Sequence, residues 1–281
     1  MSKKLIFIDV DGTLCGLDGQ VPLSAREAIN IARSKGHLVY ICTGRSKPEI
    51  TEDISSIGFD GMICAGGGYI EVNEEVLMHK KMSIKSVKSI IEYFEMHDID
   101  YYIESNDGLF GSSGCIDAIL RQVTKGLKEN SSDFENAKKE IEWFFQIINK
   151  YKDRKINYNN INKISFISNG HPYEEVYNRF KEDLQIYHST VPQFGENSGE
   201  IGIRGINKST AITYVIEYLN MDKSNTLAYG DGENDIDMFK CVNHGVAMEN
   251  AKSELMKLAK EITYTAENDG IYFSFKKNNL I

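Results

Sequence analysis

The sequence predicts an α/β protein, with a Rossmann-like parallel-sheet core and an α+β domain inserted into that core. Strand and helix patterns alternate through the first 70 residues and again from residue 200, whereas the segment between them loses this alternation. Such alternation is typical of a parallel sheet. At 281 residues the chain is long enough for two domains. We expect the core to comprise residues 1–82 and 188–281 and the inserted domain to comprise residues 83–187.

The first segment predicts three strands and one helix, followed by a hairpin. A Ser-Ala-Arg-Glu capping box at residues 24–27 begins the helix, and Gly36 ends it. Apolar runs predict strands at residues 3–10, 37–43 and 62–65 and the hairpin at residues 69–78.

The middle segment carries strand and helix patterns in no regular order. It predicts helices at residues 86–97 and 172–183, strands at 100–104 and 163–168, and a glycine-rich loop at 108–114. Lysine and asparagine accumulate between residues 133 and 163. We therefore expect a separate α+β unit here.

The alternation returns in the last segment. Strands are predicted at residues 200–204, 226–229, 245–248 and 262–265, and helices at 208–219, 236–241 and 252–260. These elements complete the predicted parallel-sheet core.

Composition and charge limit the classes of partner. The formal net charge of −9 argues against a surface for nucleic acid or an anionic membrane, because such surfaces need clustered Lys and Arg. No stretch approaches the roughly 20 apolar residues of a membrane helix, and the apolar run before Asp9 is too short for a signal peptide. Five cysteines without a C-x-x-C pair predict neither a disulfide framework nor a zinc site. We expect a cytoplasmic monomer or small homo-oligomer that acts on a small molecule.

Paired carboxylates follow the first predicted strand, in the run Asp9-Val10-Asp11-Gly12-Thr13. Ligands of open α/β sheets bind beyond the carboxyl ends of the strands. Two acids one residue apart repel each other unless a cation or a proton lies between them. The pattern therefore fits a site that holds a cation or a proton, although a single D-x-D-G is also typical of a simple turn.

Two further segments place anion-binding groups near this edge. The second predicted strand ends in Thr43-Gly44-Arg45, and a hydroxyl with backbone N–H groups at a strand-to-helix junction suits phosphate oxygens. Lys208 begins a predicted helix, where the helix dipole disfavours a cation. A bound phosphate would explain that position, and a solvated surface lysine is the alternative.

An acidic loop, Gly-Asp-Gly-Glu-Asn-Asp at residues 230–235, follows the predicted strand 226–229. An EF-hand calcium loop that started at Asp231 would need Gly at its sixth position and Glu at its twelfth, where Ile236 and Val242 stand. A metal site at the sheet edge and a solvated acidic turn both stay open on the residues alone.

Together, the four segments resemble the haloacid dehalogenase superfamily of phosphotransferases. Their order is D-V-D-G-T, T-G-R, a distant lysine and G-D-G-x-N-D. The later runs Gly-Val-Ala-Met at 245–248 and Glu-Asn-Asp-Gly at 267–270 are similar to the Cof-type subfamily, which has a type IIB cap. In one departure, Ala65-Gly66 stands where many Cof-type members have Asn-Gly.

This resemblance implies a Mg²⁺-dependent phosphatase that hydrolyses a small phosphorylated metabolite, such as a sugar phosphate, through an aspartyl-phosphate intermediate. It implies that Asp9 is the nucleophile and a Mg²⁺ ligand, and that Asp11 is the general acid and base, with its backbone carbonyl on the metal. Asp231 is expected to bind Mg²⁺ directly, with Asp235 supporting it. The groups expected to hold the phosphoryl oxygens are the Val10 amide, Thr43, Gly44, Lys208 and Asn234.

Two rival functions share parts of this pattern. Phosphomannomutases have the same D-V-D-G-T start and a similar cap, but they return the phosphoryl group to a sugar. A sugar-phosphate sensor could use the fold for binding alone, although a pure binder gains nothing from a nucleophile such as Asp9. An aspartate at position 11 favours hydrolysis, because ion-pumping relatives that keep a long-lived phosphoenzyme carry threonine there.

Overall fold

The computed structural model describes residues 2–16, 19–189, 191 and 194–281. The chain divides into two compact units. The first comprises Met1–Arg45, Ile50–His79 and Ile206–Ile281, and the second comprises Ser46–Glu49 and Lys80–Gly205. Strands and helices are numbered below along the whole chain.

An eight-stranded sheet forms the centre of the first unit, counted over the described residues. Its strands are β1 (Leu5–Ile8), β2 (Leu38–Cys42), β3 (Gly61–Cys64), β4 (Tyr69–Val72), β5 (Glu75–His79), β11 (Thr226–Gly230), β12 (His244–Met248) and β13 (Glu261–Thr263). Their spatial order is β13-β12-β11-β1-β2-β3-β4-β5. Neighbours from β13 to β3 are parallel, and β4 and β5 add an antiparallel hairpin. The predicted parallel-sheet core is confirmed.

Helices cover both faces of this sheet. They are α1 (Leu23–Ser34), α2 (Glu52–Ser55), α7 (Lys208–Tyr218), α8 (Ile236–Cys241), α9 (Ser253–Leu258) and α10 (Gly270–Lys277). Successive side chains of a strand point to opposite faces, so Ile6 and Ile8 of β1 pack with α1 and α10, whereas Leu5 and Phe7 pack with α7, α8 and α9. With both faces buried, the ends of the strands are the places where the sheet can bind a ligand.

Helix α1 starts differently from the prediction. It begins at Leu23 after Pro22 and has no side-chain cap, so the capping box expected at residues 24–27 does not form. Ser24 lies inside the first turn, and its hydroxyl donates to the Asp269 carboxylate instead.

The second unit has its own sheet and its own core. Its strands are β6 (Tyr101–Ser105), β7 (Gly108–Gly111), β8 (Ile161–Phe166), β9 (Leu184–His188) and β10 (Gly199–Ile203), and its helices are α3 (Ile84–Met96), α4 (Cys115–Val123), α5 (Ser132–Tyr151) and α6 (Tyr173–Phe180). The strands pair antiparallel in the order β7-β6-β8-β10-β9. A separate apolar cluster packs beneath them. The unit is the α+β insertion that the sequence predicted.

The boundaries of this unit differ from those predicted. Strand β10 pairs with β8 and β9, so residues 188–205 belong to the second unit and not to the core. The unit also starts at Lys80 and includes Ser46–Glu49. The error arose because a short strand pattern does not specify which sheet the strand joins.

Helix α5 lies where no element was predicted. Its apolar residues Ile141, Phe144, Phe145 and Ile148 recur at helical spacing, and the Ser131 hydroxyl caps its start. Among the described residues, no helix combines the length and the apolar character that crossing a bilayer requires.

Candidate active site

The three predicted motifs that follow strands, D-V-D-G-T, T-G-R and the acidic loop, meet at one edge of the first sheet. In the centre of the sheet, Ile8 of β1 lies beside Tyr229 of β11 and Ile41 of β2. All three strands are parallel, so the residues that follow them emerge together. Asp9 continues the ladder, because its N–H donates to the Tyr229 carbonyl at 3.0 Å.

Lys208 lies between two carboxylates. Its Nζ is 2.6 Å from Asp9 Oδ1 and 2.7 Å from Asp235 Oδ1. All three residues are buried. As the first residue of α7, Lys208 stands at the predicted helix start, where Asn207 caps the helix. The two carboxylates explain a cation at a position that the helix dipole disfavours.

Burial and charge act in opposite directions on these groups. Burial raises the pKa of Asp9 well above its ordinary value, and the Lys208 ammonium opposes that rise. Burial by itself would lower the pKa of Lys208, but the Asp235 and Asp9 carboxylates outweigh it and raise that pKa. Lys208 therefore stays charged and favours the ionised form of Asp9.

Asp231 completes a group of three acids. Within the described residues, one oxygen each from Asp9, Asp231 and Asp235 lie within 4.8 Å of one another. Burial raises the pKa of Asp231 to about 7, and the hydrogen bond from Thr13 opposes that rise. Carboxylate oxygens are the ligands that Mg²⁺ prefers, and a divalent cation would offset the repulsion among three acids held this close. The donor set therefore fits Mg²⁺.

Both carboxylate oxygens of Asp235 accept hydrogen bonds. Its Oδ1 accepts from Lys208, and its Oδ2 accepts from the N–H groups of Asp231 and Gly232, both at 3.0 Å. These contacts fix the conformation of the acidic loop. They suit Asp235 to supporting the metal ligands better than to binding a metal directly.

Asp11 lies apart from this group. Its carboxylate is 61% exposed and pairs side-on with Arg45, with Nη2 2.6 Å from Oδ1 and Nε 3.0 Å from Oδ2. The guanidinium of Arg45 is buried, so this bidentate pair fixes where the Asp11 carboxylate lies.

The other predicted phosphate-binding residues line the same edge. Thr43 is buried and its hydroxyl accepts from the Arg45 N–H at 3.1 Å. A Cβ added to Gly44 would meet no atom within 4 Å, so this turn borders open space. The Val10 carbonyl closes the turn after β1, accepting from Leu14 and Cys15. Asn234 is exposed beside Asp235 in the acidic loop.

A family model for haloacid dehalogenase-like hydrolases matches residues 6–274. The chain belongs to the haloacid dehalogenase-like hydrolase family. This assignment confirms the resemblance that the four motifs predicted.

Relatives of this hydrolase span its whole length. It is 26% identical to the putative phosphatase YkrA of Bacillus subtilis, with all of both chains covered. It is 29% identical to the 5-amino-6-(5-phospho-D-ribitylamino)uracil phosphatase YcsE of the same organism, covering 95% of this chain and 92% of the relative. The family and these relatives identify the chain as an enzyme of the phosphatase class.

Solved structures share the fold of this hydrolase. A haloacid dehalogenase-like hydrolase from B. subtilis is similar with a TM-score of 0.77 at 24% identity, covering 97% of this chain and 99% of that one. The subclass IIB sugar phosphatase BT4131 is similar with a TM-score of 0.72 at 23% identity, covering 99% and 100%. Both similarities extend over the inserted unit of this hydrolase as well as its core.

Three residues of this edge, Arg45, Thr13 and Asn250, had no predicted role. Arg45 was visible as the last residue of T-G-R, but the pattern did not reveal its pairing with Asp11. Thr13 donates to Asp231 Oδ1 at 2.8 Å. Asn250, which follows β12, reaches the same carboxylate from another direction.

The departure at Ala65 places alanine at a backbone position that favours asparagine. Ala65 adopts a φ of +52°, in the left-handed region where asparagine is several-fold enriched over alanine. The Asn that many Cof-type members carry there suits this conformation, whatever contact its side chain makes.

Proposed function

We propose that the chain is a Mg²⁺-dependent phosphatase that releases inorganic phosphate from a small phosphorylated metabolite through an aspartyl-phosphate on Asp9. One observation carries the proposal: a buried carboxylate at a strand end lies 2.6 Å from a buried lysine and beside two further acids. Phosphatase membership alone does not identify the nucleophile, whereas this geometry favours Asp9.

The charge balance supports the choice of Asp9. A carboxylate repels a phosphate dianion, so a nucleophilic carboxylate needs cations beside it. Lys208 supplies one positive charge at Asp9 itself. Asp9 and Asp231, with the Asp11 carbonyl, would hold Mg²⁺, which when bound neutralises charge on the transferring phosphoryl group.

The reaction is proposed to run in two displacements. In the first, an Asp9 carboxylate oxygen forms a bond to phosphorus while the bond from phosphorus to the ester oxygen breaks, and the leaving oxygen takes a proton from the Asp11 carboxyl. In the second, Asp11 removes a proton from water as the water oxygen attacks phosphorus. The bond between phosphorus and Asp9 then breaks, and inorganic phosphate leaves with Asp9 restored.

The remaining groups would hold the phosphoryl oxygens. Thr43 offers a hydroxyl, Gly44 and Val10 offer backbone N–H groups, and Asn234 offers a side-chain amide beside the acidic loop. Gly44 borders open space, which leaves room for an anion there.

We propose a sugar phosphate as the substrate class. Support comes from relatives whose names state such substrates: one acts on a phosphoribityl compound and a structural neighbour is called a sugar phosphatase. The inserted unit, with its boundaries at Lys80 and Gly205, is proposed as the cap domain that selects the substrate. Four of the five cysteines are buried and the sequence has no C-x-x-C pair, which supports a reducing cytoplasm as the compartment.

The test is phosphate release across a panel of sugar phosphates, nucleotides and pyridoxal phosphate, with and without Mg²⁺. Asp9→Asn should lose activity on every substrate, and its control Asp237→Asn, on the half-exposed face of α8, should keep it. When the substrate carries a radiolabelled phosphoryl group, label should become trapped on wild-type protein but not on Asp9→Asn. Activity of Asp9→Asn would contradict the proposal. Isomerisation of a sugar phosphate that depends on a bisphosphorylated sugar would identify a phosphomutase instead.

A further inference from the structure

Asn250 connects two loops of the active-site edge. Its Nδ2 lies 3.1 Å from the Gly12 carbonyl oxygen and 3.3 Å from Asp231 Oδ2. Two residues further on, the Lys252 N–H donates to the Asp231 carbonyl at 3.0 Å. The segment after β12 therefore holds both the side chain and the backbone of Asp231.

The Asp231 carboxylate is held at both of its oxygens. Thr13 donates to Oδ1 at 2.8 Å, and Asn250 is in reach of Oδ2 at 3.3 Å. Gly12 packs so closely that a Cβ there would collide with this carboxylate. A carboxylate has about four lone-pair positions, so two donors fix its plane and still leave positions for a cation.

The position of Asn250 indicates that its contacts matter little for folding. The residue is exposed, and an exposed hydrogen bond competes with water, so its net contribution to stability is small. Its amide nevertheless bridges the loop after β1 and the loop after β11. These are the two loops that carry Asp9 and Asp231.

We propose that Asn250 is a positioning residue, which fixes the Asp231 carboxylate against the Gly12 carbonyl so that the acidic group is ready for a divalent cation. The inference rests on the proposed function, because it takes Asp231 as a metal ligand. Groups that hydrogen-bond to metal-binding carboxylates change metal affinity by about ten- to a hundredfold when they are removed. Asn250 acts by donating an N–H, so a side chain that cannot donate should fail to replace it.

The experiment measures Mn²⁺ binding to the full chain by electron paramagnetic resonance, together with thermal unfolding. Asn250→Ala should bind Mn²⁺ about ten- to a hundredfold more weakly than wild type, while its Tm stays within about 4 °C. Glu249→Ala, at the exposed neighbouring residue, is the matched control and should bind as wild type does. Asn250→Asp should also bind more weakly, because a carboxylate cannot donate to Asp231.

Three outcomes would overturn the inference. Binding by Asn250→Ala within twofold of wild type would remove any positioning role, and so would tighter binding by Asn250→Asp, which would indicate simple attraction by charge. A loss of affinity equal to that of Glu249→Ala would assign the effect to the loop in general. Asp231→Asn separates the two proposals: if it binds Mn²⁺ as wild type does, the proposed metal site itself is wrong.

Discussion

Replacing Lys208 by methionine tests the arrangement at Asp9 most directly. Methionine keeps most of the side-chain volume but removes the ammonium that is 2.6 Å from Asp9 and 2.7 Å from Asp235. Removing a charged donor from a buried site costs about 2–4 kcal/mol in the transition state. At about 1.4 kcal/mol per decade, kcat/KM should fall roughly thirty- to a thousandfold.

Stability should fall as well, because two buried carboxylates lose their shared cation. Breaking a buried ion pair from one side costs about 3–5 kcal/mol. The assay must therefore compare kcat/KM at a temperature where circular dichroism shows the variant folded. Lys240→Met is the control: this lysine is 60% exposed and pairs with Asp237 at 3.2 Å, so both its stability and its activity should change little. A folded Lys208→Met variant within twofold of wild-type kcat/KM would refute the reasoning.

Three further predictions concern Asp11, the second unit and Ala65. Asp11→Asn should give a burst of up to one equivalent of nitrophenol per site from p-nitrophenyl phosphate and then stall, because this leaving group needs no proton whereas water attack needs the base. Lys163→Met leaves Glu104 buried without its cation and should lower the free energy of unfolding of the second unit by about 3–5 kcal/mol. Glu104→Gln should lower it far less. Urea unfolding, followed by the fluorescence of Trp143, the one tryptophan, measures the stability of both variants. Ala65→Asn should raise the free energy of unfolding by about 0.5–1 kcal/mol, measured by thermal unfolding, because asparagine tolerates a φ of +52° better.

Each of these has a contradicting outcome. Equal loss of activity on p-nitrophenyl phosphate and a hexose 6-phosphate, without a burst, would give Asp11 a different role. Equal destabilisation by Lys163→Met and Glu104→Gln would mean that stability depends on the Lys163–Glu104 ion pair as a whole, and not on leaving the Glu104 charge buried without a partner. A lower Tm for Ala65→Asn would show that side-chain packing outweighs backbone conformation at that turn.

The sequence predicted which side chains come together at the strand ends better than it predicted which sheet each strand joins. Asp9, Thr43 and Asp231 each follow a strand of one parallel sheet, and a strand end is a position that a linear pattern can mark. Strand β10 was assigned to the wrong unit, because its alternation fits either sheet and only pairing with β8 and β9 decides. The partners that arrive from distant segments, such as Arg45 for Asp11 and Asn250 for Asp231, leave no local signal.

Helix α5 illustrates a different limit. Its apolar spacing was present in the sequence, but lysine, glutamate and asparagine fill the exposed face and resemble a polar loop. The buried face, with Phe144, Phe145, Ile148 and Tyr151, becomes evident only once the sheet it packs against is known.

The order of segments along the chain has a consequence for folding. The second unit is almost continuous, at Lys80–Gly205, whereas the first unit is assembled from three separated stretches. One neighbour of strand β1 is close in sequence, since Leu5 pairs with Leu38. Its other neighbour is distant in sequence, since Leu5 also pairs with Thr226. Closing such a long loop is slow, because its entropy is lost before the contacts form. During synthesis the inserted unit can therefore fold first, whereas Asp9 is joined by Lys208 and Asp235 only after the last third of the chain has emerged. A nascent chain would then hold the unit proposed to select the substrate before the proposed catalytic residues come together.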